Sequence, residues 1–286
     1  MPSLDFSGHD SLHYVRRGVG APLLLIQGAA ASHLHWGQRL LSLLARAFDV
    51  VAYDHRGVGH SAPVSGPFTI EELADDAARV LDRVGWTRAD IVGVSMGGVI
   101  AQELALRHPD RVRRLVLGCT HAGGAAASTT RAACEAEVAA AVVRGNRIAT
   151  ARNMFRLGVK DEDALPPEAW LEYQDSVLTL PVDPRATVLQ TGALARHTTA
   201  DRLQELRVPT LVIHGEADRM VHPEDGIAVA RGIRDARLTI LDAGHLFWLE
   251  QPEQTADIIA KFCAEAAVSP GSGGVESGSS RSRVIG

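Results

Sequence analysis

The sequence predicts an α/β fold with a mostly parallel central sheet and helices on both of its faces. Short apolar runs alternate with amphipathic helical patterns over residues 1–121, and the same alternation returns over residues 207–267. This rhythm is typical of parallel strands joined by crossover helices. Residues 122–206 lie between the two halves and show helical patterns without a convincing strand. We therefore expect one core built from two segments, with a helical insertion between them.

The elements of the core follow from apolar runs and from spacings of three and four residues. A capping box is expected at Thr69 and Glu72, ahead of the second helix. Seven strands are predicted, at residues 12–15, 23–26, 50–53, 90–94, 112–117, 210–213 and 237–241. Five helices are predicted between and after them, at residues 36–48, 71–84, 99–108, 224–233 and 252–266.

The insertion and the C-terminal segment have different patterns. Helices are predicted at residues 131–144, 147–157 and 167–178, and Pro181 to Pro184 reads as an interruption. Residues 268–286 are rich in Gly and Ser and contain few apolar residues. That composition favours a disordered tail.

Composition excludes several classes of protein. The chain has 286 residues, 46% hydrophobic and 22% charged, which is enough to bury a large core without disulfides. A net charge of −5 disfavours nucleic-acid binding, which needs a basic surface. The three cysteines form no Cys-x-x-Cys pair, and no His/carboxylate spacing indicates a metal site. Without a signal-like N-terminus or an apolar run of about 18 residues, we expect a cytoplasmic protein without membrane contact.

The most informative motif surrounds Ser95. Gly93-Val94-Ser95-Met96-Gly97 follows an apolar strand and precedes a helix, which is the context of a G-x-S-x-G nucleophile turn. The turn forces its central residue into a strained backbone conformation, so the positions two before and two after it must be small. The alternative is a glycine-rich turn without chemistry.

A serine hydroxyl is a weak nucleophile without a base, so an acid and a histidine should follow it in the chain. Asp218 comes after the strand at 210–213, and His245 after the strand at 237–241. His245 is the predicted general base and Asp218 the predicted acid that orients it. Glu216 remains an alternative acid, whereas Asp242 is too close to His245 in sequence to orient it.

Together these motifs resemble the α/β-hydrolase fold superfamily, in its esterase, lactonase and cofactor-free haloperoxidase-like branch. Further support comes from Tyr53-Asp54-His55-Arg56-Gly57-Val58-Gly59-His60-Ser61 and from Gly244-His245 followed by Glu250-Gln251-Pro252. The resemblance spans residues 10–266. It implies that residues 122–206 form a helical cap between the sixth and seventh strands.

The resemblance also implies an oxyanion hole, made by the backbone N–H groups of Ala29 and Met96. Relatives usually carry His-Gly in this loop, where this chain has Gln27-Gly28. The small residues that follow leave room for a bulky acyl group. Beyond the backbone donors, the residues that could contact substrate are Gln27, His121, His197, Trp36 and Phe247, although core packing is the commoner role for the two aromatic residues.

We expect a serine hydrolase that cleaves a small or medium apolar ester or lactone through an acyl-enzyme, without a cofactor. Thioester hydrolysis, carbon–carbon bond hydrolysis and perhydrolysis on the same residues stay open as alternatives. So does a non-catalytic receptor for a small molecule. The expected partner is a small-molecule substrate, and the sequence is compatible with a homo-oligomer.

Overall fold

The computed structural model describes residues 12–123, 147–180 and 182–265. Within these residues the strands form a seven-stranded sheet with the order β1-β3-β2-β4-β5-β6-β7. All neighbouring pairs are parallel except β1 and β3, so the prediction of a mostly parallel sheet is confirmed. The strands are β1 (Tyr14–Arg17), β2 (Ala21–Ile26), β3 (Phe48–Tyr53), β4 (Ala89–Val94), β5 (Val112–Gly118), β6 (Thr210–Gly215) and β7 (Arg237–Leu241).

Helices follow most strands and cover both faces of the sheet. Short 3-10 turns occur at His33–Trp36, Pro109–Arg111 and Ala200–Glu205. The α-helices among the described residues are α1 (Gln38–Leu44), α2 (Ile70–Arg83), α3 (Met96–Arg107), α4 (Arg147–Gly158), α5 (Pro167–Thr179), α6 (Pro184–Ala195), α7 (Pro223–Gly232), α8 (Phe247–Glu250) and α9 (Pro252–Ala264).

Two apolar layers hold the sheet between its helices. Successive residues of β2 point to opposite faces, so Leu24 and Ile26 join the layer under α2 and α3, while Leu23 and Leu25 join the layer under α1 and α9. All four side chains are fully buried. Burial on both faces explains why the strands read as continuous apolar runs.

Local signals account for the boundaries of several helices. The predicted capping box of α2 is present, since Thr69 Oγ1 accepts the N–H of Glu72 and Glu72 Oε2 accepts the N–H of Thr69. The predicted helix at 36–48 was wrong in extent. Gly37 has a φ of 74°, which separates a 3-10 turn from α1, and the chain is already in β3 at Phe48.

The insertion contains α4, α5 and α6 between β5 and β6. The predictions at 147–157 and 167–178 match α4 and α5, whereas α6 begins where the sequence predicts an interruption and no helix. Asp183 caps α6 by accepting the N–H of Arg185, and Pro184 occupies its first position, where a missing N–H costs nothing. The resemblance implies an insertion between the sixth and seventh strands. Among the described residues five strands precede the insertion, so the strand count differs by one.

Some predictions lie outside the described residues. These are the helix at 131–144 and the tail at 268–286. Within the described part of the chain, every helix is too short or too polar to cross a bilayer.

Candidate functional site

Ser95 occupies a strained turn between β4 and α3. Its φ and ψ are 55° and −125°, a combination that L residues rarely adopt. A Cβ at position 93 would overlap the carbonyl oxygen of Gly97, and a Cβ at position 97 would overlap that of Ile26. Both positions therefore require glycine, as the motif predicts, and the turn holds Ser95 at the carboxyl end of the sheet.

The predicted acid and base are in direct contact. His245 Nδ1 lies 2.7 Å from Asp218 Oδ2, and both residues are buried. The other carboxylate oxygen, Oδ1, accepts the N–H groups of Met220 at 2.8 Å and Val221 at 2.9 Å. Asp218 is thus held by backbone donors on one side and orients the imidazole on the other.

Burial and charge act in opposite directions on this pair. Burial raises the pKa of Asp218, but the charge of His245 and the hydrogen bonds from His214 and His245 outweigh it, so the pKa falls well below its ordinary range. Burial lowers the pKa of His245, but the Asp218 carboxylate outweighs it and the pKa rises well above 6.5. Asp218 is therefore a carboxylate, and it stabilises the imidazolium form of His245.

Cys119 connects the serine turn with this pair. It directly follows β5, and its thiol interacts with His245 and with the backbone of Ser95. One atom each of Cys119, Asp218 and His245 lie within 4.8 Å of one another. Among the described residues, neither His245 nor any other residue forms a hydrogen bond with Ser95 Oγ. Hydrogen bonds between a nucleophile and its base are often loose until substrate binds.

The loop after β2 lies against Ser95. A Cβ at Gly28 would stand 3.1 Å from Ser95 Cβ and 3.5 Å from its Oγ. The N–H groups of Ala29 and Met96 have no acceptor in the part of the chain that the structure describes. Two unpaired donors beside a nucleophile are the components of an oxyanion hole.

Gln27 is folded back onto this loop. Its Oε1 accepts the N–H of Gly28 at 2.8 Å, and its backbone oxygen lies 2.8 Å from His55 Nε2. The N–H of Gly28 needs an oxygen as its acceptor, so its bond fixes the orientation of the Gln27 side-chain amide. In this orientation Nε2 of Gln27 is buried without a partner. Gln27 therefore shapes the loop through its carbonyl.

Gln190 on α6 reaches the same loop from the insertion. Its Oε1 accepts the N–H of Ala30 at 2.8 Å, and Gln190 is fully buried. Ala30 has a φ of 55°, Ser95 of 55° and Cys119 of 39°. Three of the four positive-φ residues other than glycine in the described chain thus lie around Ser95, and such strain is concentrated at functional sites.

The other predicted contact residues lie in closed surroundings. Trp36 and Phe247 are buried in the apolar layer under α1 and α9, and both pack on Trp248. His121 Nδ1 accepts the N–H of Gly123 at 2.9 Å. His197 lies 3.2 Å from Glu71 Oε1 and 3.3 Å from Glu103 Oε2. Core packing therefore surrounds Trp36 and Phe247, a hydrogen bond holds His121, and two carboxylates lie beside His197.

Several residues of the site escaped the sequence-based prediction. Glu250 accepts the N–H groups of Gly244 and Lys160, and it thereby fixes the loop that carries His245. His214 Nε2 lies 3.2 Å from Asp218 Oδ2. Cys119 had an available signal, since it follows a strand at the edge where Asp218 and His245 also lie. Gln190 had none, because its partner is 160 residues away.

A second group of possible ligands lies elsewhere. His13, His33 and Asp54 each offer an atom within 4.8 Å of the others. The sequence predicted no metal site, because the spacing of these residues matches no common ligand pattern.

A serine at a strained strand–helix turn, beside a buried carboxylate–imidazole pair, defines a protein of the hydrolase class. The family described as alpha/beta hydrolase fold matches residues 21–252. This chain belongs to that family and is a hydrolase.

Relatives of the chain are hydrolases with different substrates. It is 31% identical to a putative carbamate hydrolase RutD of Azorhizobium caulinodans, over 90% of this chain and 97% of that protein. It is 32% identical to a 2-hydroxymuconate semialdehyde hydrolase of Pseudomonas sp. strain CF600, over 90% of each chain. The enol-lactonase structure from Burkholderia xenovorans LB400 superposes with a TM-score of 0.78 at 28% identity, over 89% of this chain and 96% of that one.

Proposed function

We propose that this hydrolase cleaves a small or medium apolar carboxylic ester or lactone, with Ser95 as nucleophile, His245 as general base and Asp218 as the orienting acid. The observation that carries the proposal is the 2.7 Å contact between His245 Nδ1 and Asp218 Oδ2. This contact leaves Nε2 of His245 as the nitrogen that can accept the proton of the Ser95 hydroxyl. A binding protein would have no need of this buried pair.

The chemistry follows from these positions. Ser95 Oγ attacks the carbonyl carbon while its proton passes to His245 Nε2, and the resulting imidazolium is stabilised by Asp218. Collapse of the tetrahedral intermediate breaks the acyl–oxygen bond, and the leaving alcohol takes the proton from His245. Water then attacks the acyl-enzyme with His245 again as base, which releases the acid and restores Ser95.

Ala29 and Met96 are the proposed oxyanion donors. Their N–H groups are fixed before substrate arrives, so they stabilise the negative oxygen of the intermediate without reorganisation. Loss of one such donor costs roughly 10²–10³ in rate. Small side chains at Ala29 and Ala30 leave space for a bulky acyl group above the serine.

Residues 122–206 are proposed to cap the site. Support comes from two contacts of the insertion with the loops around Ser95 and His245. Gln190 binds Ala30, and the carbonyl of Gly158 accepts the N–H of Leu246 at 2.7 Å. The aromatic residues Phe155, Trp170 and Tyr173 pack together in α4 and α5 and join these helices to the apolar layer under α1 and α9.

Other acyl reactions on the same residues are the second candidates. They are supported by the relatives, which include a putative carbamate hydrolase and a 2-hydroxymuconate semialdehyde hydrolase. Products from an ester, a lactone, a thioester, a carbamate and a 1,3-diketone distinguish them, and peroxide-dependent halogenation tests perhydrolysis. The cytoplasmic location stays a prediction.

The test is intact-mass spectrometry after treatment with a fluorophosphonate. Wild type is expected to gain one adduct and Ser95→Ala none, with slower labelling of His245→Ala and Asp218→Asn. Folded wild type that stays unlabelled and turns over none of the five substrates would overturn the proposal in favour of a receptor.

A further inference from the structure

Glu250 bridges the loop that carries His245 and the segment that follows α4. Its Oε1 accepts the N–H of Gly244, the residue before His245, at 2.7 Å. Its Oε2 accepts the N–H of Lys160, two residues beyond the end of α4, at 2.9 Å. A carboxylate offers two oxygens and donates nothing, so one side chain can accept both N–H groups at once. Glu250 thereby binds the loop of the proposed base to the insertion.

The residue after His245 makes a second contact with the same segment. The N–H of Leu246 donates to the carbonyl of Gly158, the last residue of α4, at 2.7 Å. The backbones also pack closely, since a Cβ at Gly244 would stand 2.5 Å from the carbonyl oxygen of Gly158 and 2.8 Å from the nitrogen of Lys160. A Cβ at Gly158 would stand 2.7 Å from Leu246 Cδ1. The end of α4 therefore restricts the position of His245 through both of its neighbours in the chain.

The loop of the proposed acid is held by the same part of the insertion. Arg219 directly follows Asp218 in the chain. Its Nη2 donates to the carbonyl of Val159 at 2.8 Å and also to that of Arg156. The last carbonyl groups of a helix have no partner within it, so the guanidinium satisfies groups that the end of α4 leaves unpaired. The end of α4 and the two residues after it therefore contact the acid loop and the base loop together.

The position of His245 matters because its imidazole serves two partners at once. Its Nδ1 lies 2.7 Å from Asp218 Oδ2, and its Nε2 is the nitrogen that must meet the hydroxyl of Ser95. A displacement of about 1 Å in such an arrangement can cost roughly 10² in rate, even when its cause lies away from the reacting atoms. Contacts that fix the loop of His245 therefore bear directly on hydrolysis.

We propose that Glu250 is a positioning residue for hydrolysis, which holds His245 in place by binding its loop to the insertion. The inference rests on the proposed function, in which His245 is the general base. Glu250 acts through the backbone of Gly244, and the N–H of Lys160 fixes the other oxygen of its carboxylate. The insertion then contributes to the alignment of the base.

Glu250→Met tests this role in the full chain, because methionine has a similar length and accepts neither N–H group. We expect kcat for 4-nitrophenyl butyrate and the rate of fluorophosphonate labelling to fall roughly 10–10²-fold, with KM little changed. Glu250→Gln keeps one carbonyl oxygen and should lie between Glu250→Met and wild type. Melting temperatures show that each variant is folded at the assay temperature.

Glu253→Met is the matched control. Glu253 is an exposed glutamate on α9, and its Oε1 accepts a hydrogen bond from Arg39 Nε at 2.7 Å. This variant also removes a bonded carboxylate, but one that does not hold the loop of His245. Its kcat and its labelling rate should equal those of wild type.

A second readout does not depend on hydrolysis. The proton on His245 Nδ1, which is hydrogen-bonded to Asp218, gives a downfield resonance in proton NMR spectra, and its loss in His245→Ala assigns it. In Glu250→Met this resonance is expected to shift and to exchange faster with water. Wild-type rates and an unchanged resonance in Glu250→Met would overturn the inference and leave Glu250 with a purely structural role. Wild type that is neither labelled nor active would instead overturn the proposed function, and the resonance alone would then decide whether Glu250 positions His245.

Discussion

The side-chain carbonyl of Gln190 accepts a hydrogen bond from the backbone N–H of Ala30 at 2.8 Å. Gln190 belongs to the insertion, whereas Ala30 is the residue after the proposed oxyanion donor Ala29. Ala30 has a φ of 55°, a conformation that costs energy and persists only where the surroundings hold it. The insertion therefore helps to determine the shape of the loop beside Ser95.

Gln190→Met tests this relationship, since methionine has a similar volume and no carbonyl. We expect kcat to fall about 10-fold or more, because Ala29 shifts when Ala30 loses its acceptor. The upper limit of the fall is the roughly 10²–10³-fold loss that follows removal of one oxyanion donor. The free energy of unfolding should fall by at most about 1–3 kcal/mol, the cost of an unsatisfied buried donor, because the N–H of Ala30 is only partly buried and the variant also removes Gln190 Nε2, which is buried without a partner. Steady-state kinetics and urea denaturation measure the two effects. Gln204→Met, at an exposed position, is the control. A loss of stability with unchanged kcat would show that Gln190 has only a structural role.

Strain at Ser95 predicts that replacing this serine with glycine gives a more stable protein than replacing it with alanine, although both changes abolish hydrolysis. A backbone at φ 55° and ψ −125° costs a non-glycine residue about 1–3 kcal/mol. Ser95→Gly removes this strain, but glycine also increases the conformational entropy of the unfolded chain, which offsets part of the gain. Ser95→Gly should therefore be about 0.5–2 kcal/mol more stable than Ser95→Ala. Both variants lack the hydroxyl and should lose hydrolysis. Urea denaturation of the pair isolates the backbone effect, and equal stabilities would contradict it.

The pH dependence of hydrolysis reports the contact between Asp218 and His245. His245 must be neutral to accept the proton of Ser95, and Asp218 raises the pKa of His245 well above 6.5. In wild type, kcat/KM should therefore rise with pH through an apparent pKa above 6.5. In Asp218→Asn, burial acts without the opposing carboxylate, so this rise moves to lower pH, while the plateau falls about 10⁴-fold.

Glu216→Gln is the matched control for Asp218→Asn. Glu216 was the alternative acid in the sequence, but it is half-exposed and its Oε1 pairs with Lys160 Nζ at 3.0 Å. The variant should keep both the plateau and the position of the rise. A shifted profile in Glu216→Gln, together with an unshifted one in Asp218→Asn, would reverse the assignment.

The sequence predicted the elements whose determinants are local. The turn at Ser95 is recognisable because its glycines stand at fixed positions two before and two after the serine, although Gly97 is required by a contact with Ile26 on β2. The start of α2 is recognisable because Thr69 and Glu72 cap each other. The helix at 36–48 was overextended, since nothing in its apolar spacing shows that Gly37 adopts a φ of 74°. The start of α6 does carry a signal, in Asp183 followed by Pro184, although two prolines within four residues also favour an interruption.

Contacts between distant segments had no such signal. Gln190 and Ala30 are 160 residues apart, and the register that brings them together depends on how the insertion packs. The ring contacts of His13 with His33 and with His60 have the same origin, because His13 reaches them only when β1 pairs with β3. The proximity of Ser95, Asp218 and His245 is predictable from the sequence, because each follows a strand and parallel strands present their carboxyl ends at one edge of the sheet.

Glu103 provides a prediction about stability at low pH. It is a buried residue of α3, and its Oε2 pairs with Arg202 Nη2 at 2.6 Å. Burial raises the pKa of Glu103, but the bonds from His197 and Arg202 outweigh it and lower the pKa from 4.5 to about 2. Such a carboxylate stabilises the fold above the pKa of the unfolded chain, and this contribution is lost as the pH falls towards the folded pKa.

Glu103→Gln should therefore lower the free energy of unfolding by about 1–2 kcal/mol at pH 7, near the lower end for a charged hydrogen bond. The value is modest because the Arg202 side chain is 37% exposed and solvent screens the pair. The difference between wild type and variant should shrink as the pH falls from about 5 towards 2, because wild type then loses the charge that the variant lacks. Urea denaturation at pH 7, 5, 4 and 3 follows this difference. Glu205→Gln, at an exposed neighbouring position, should show no comparable pH dependence, and a constant difference in Glu103→Gln would mean that its cost arises from packing instead of charge.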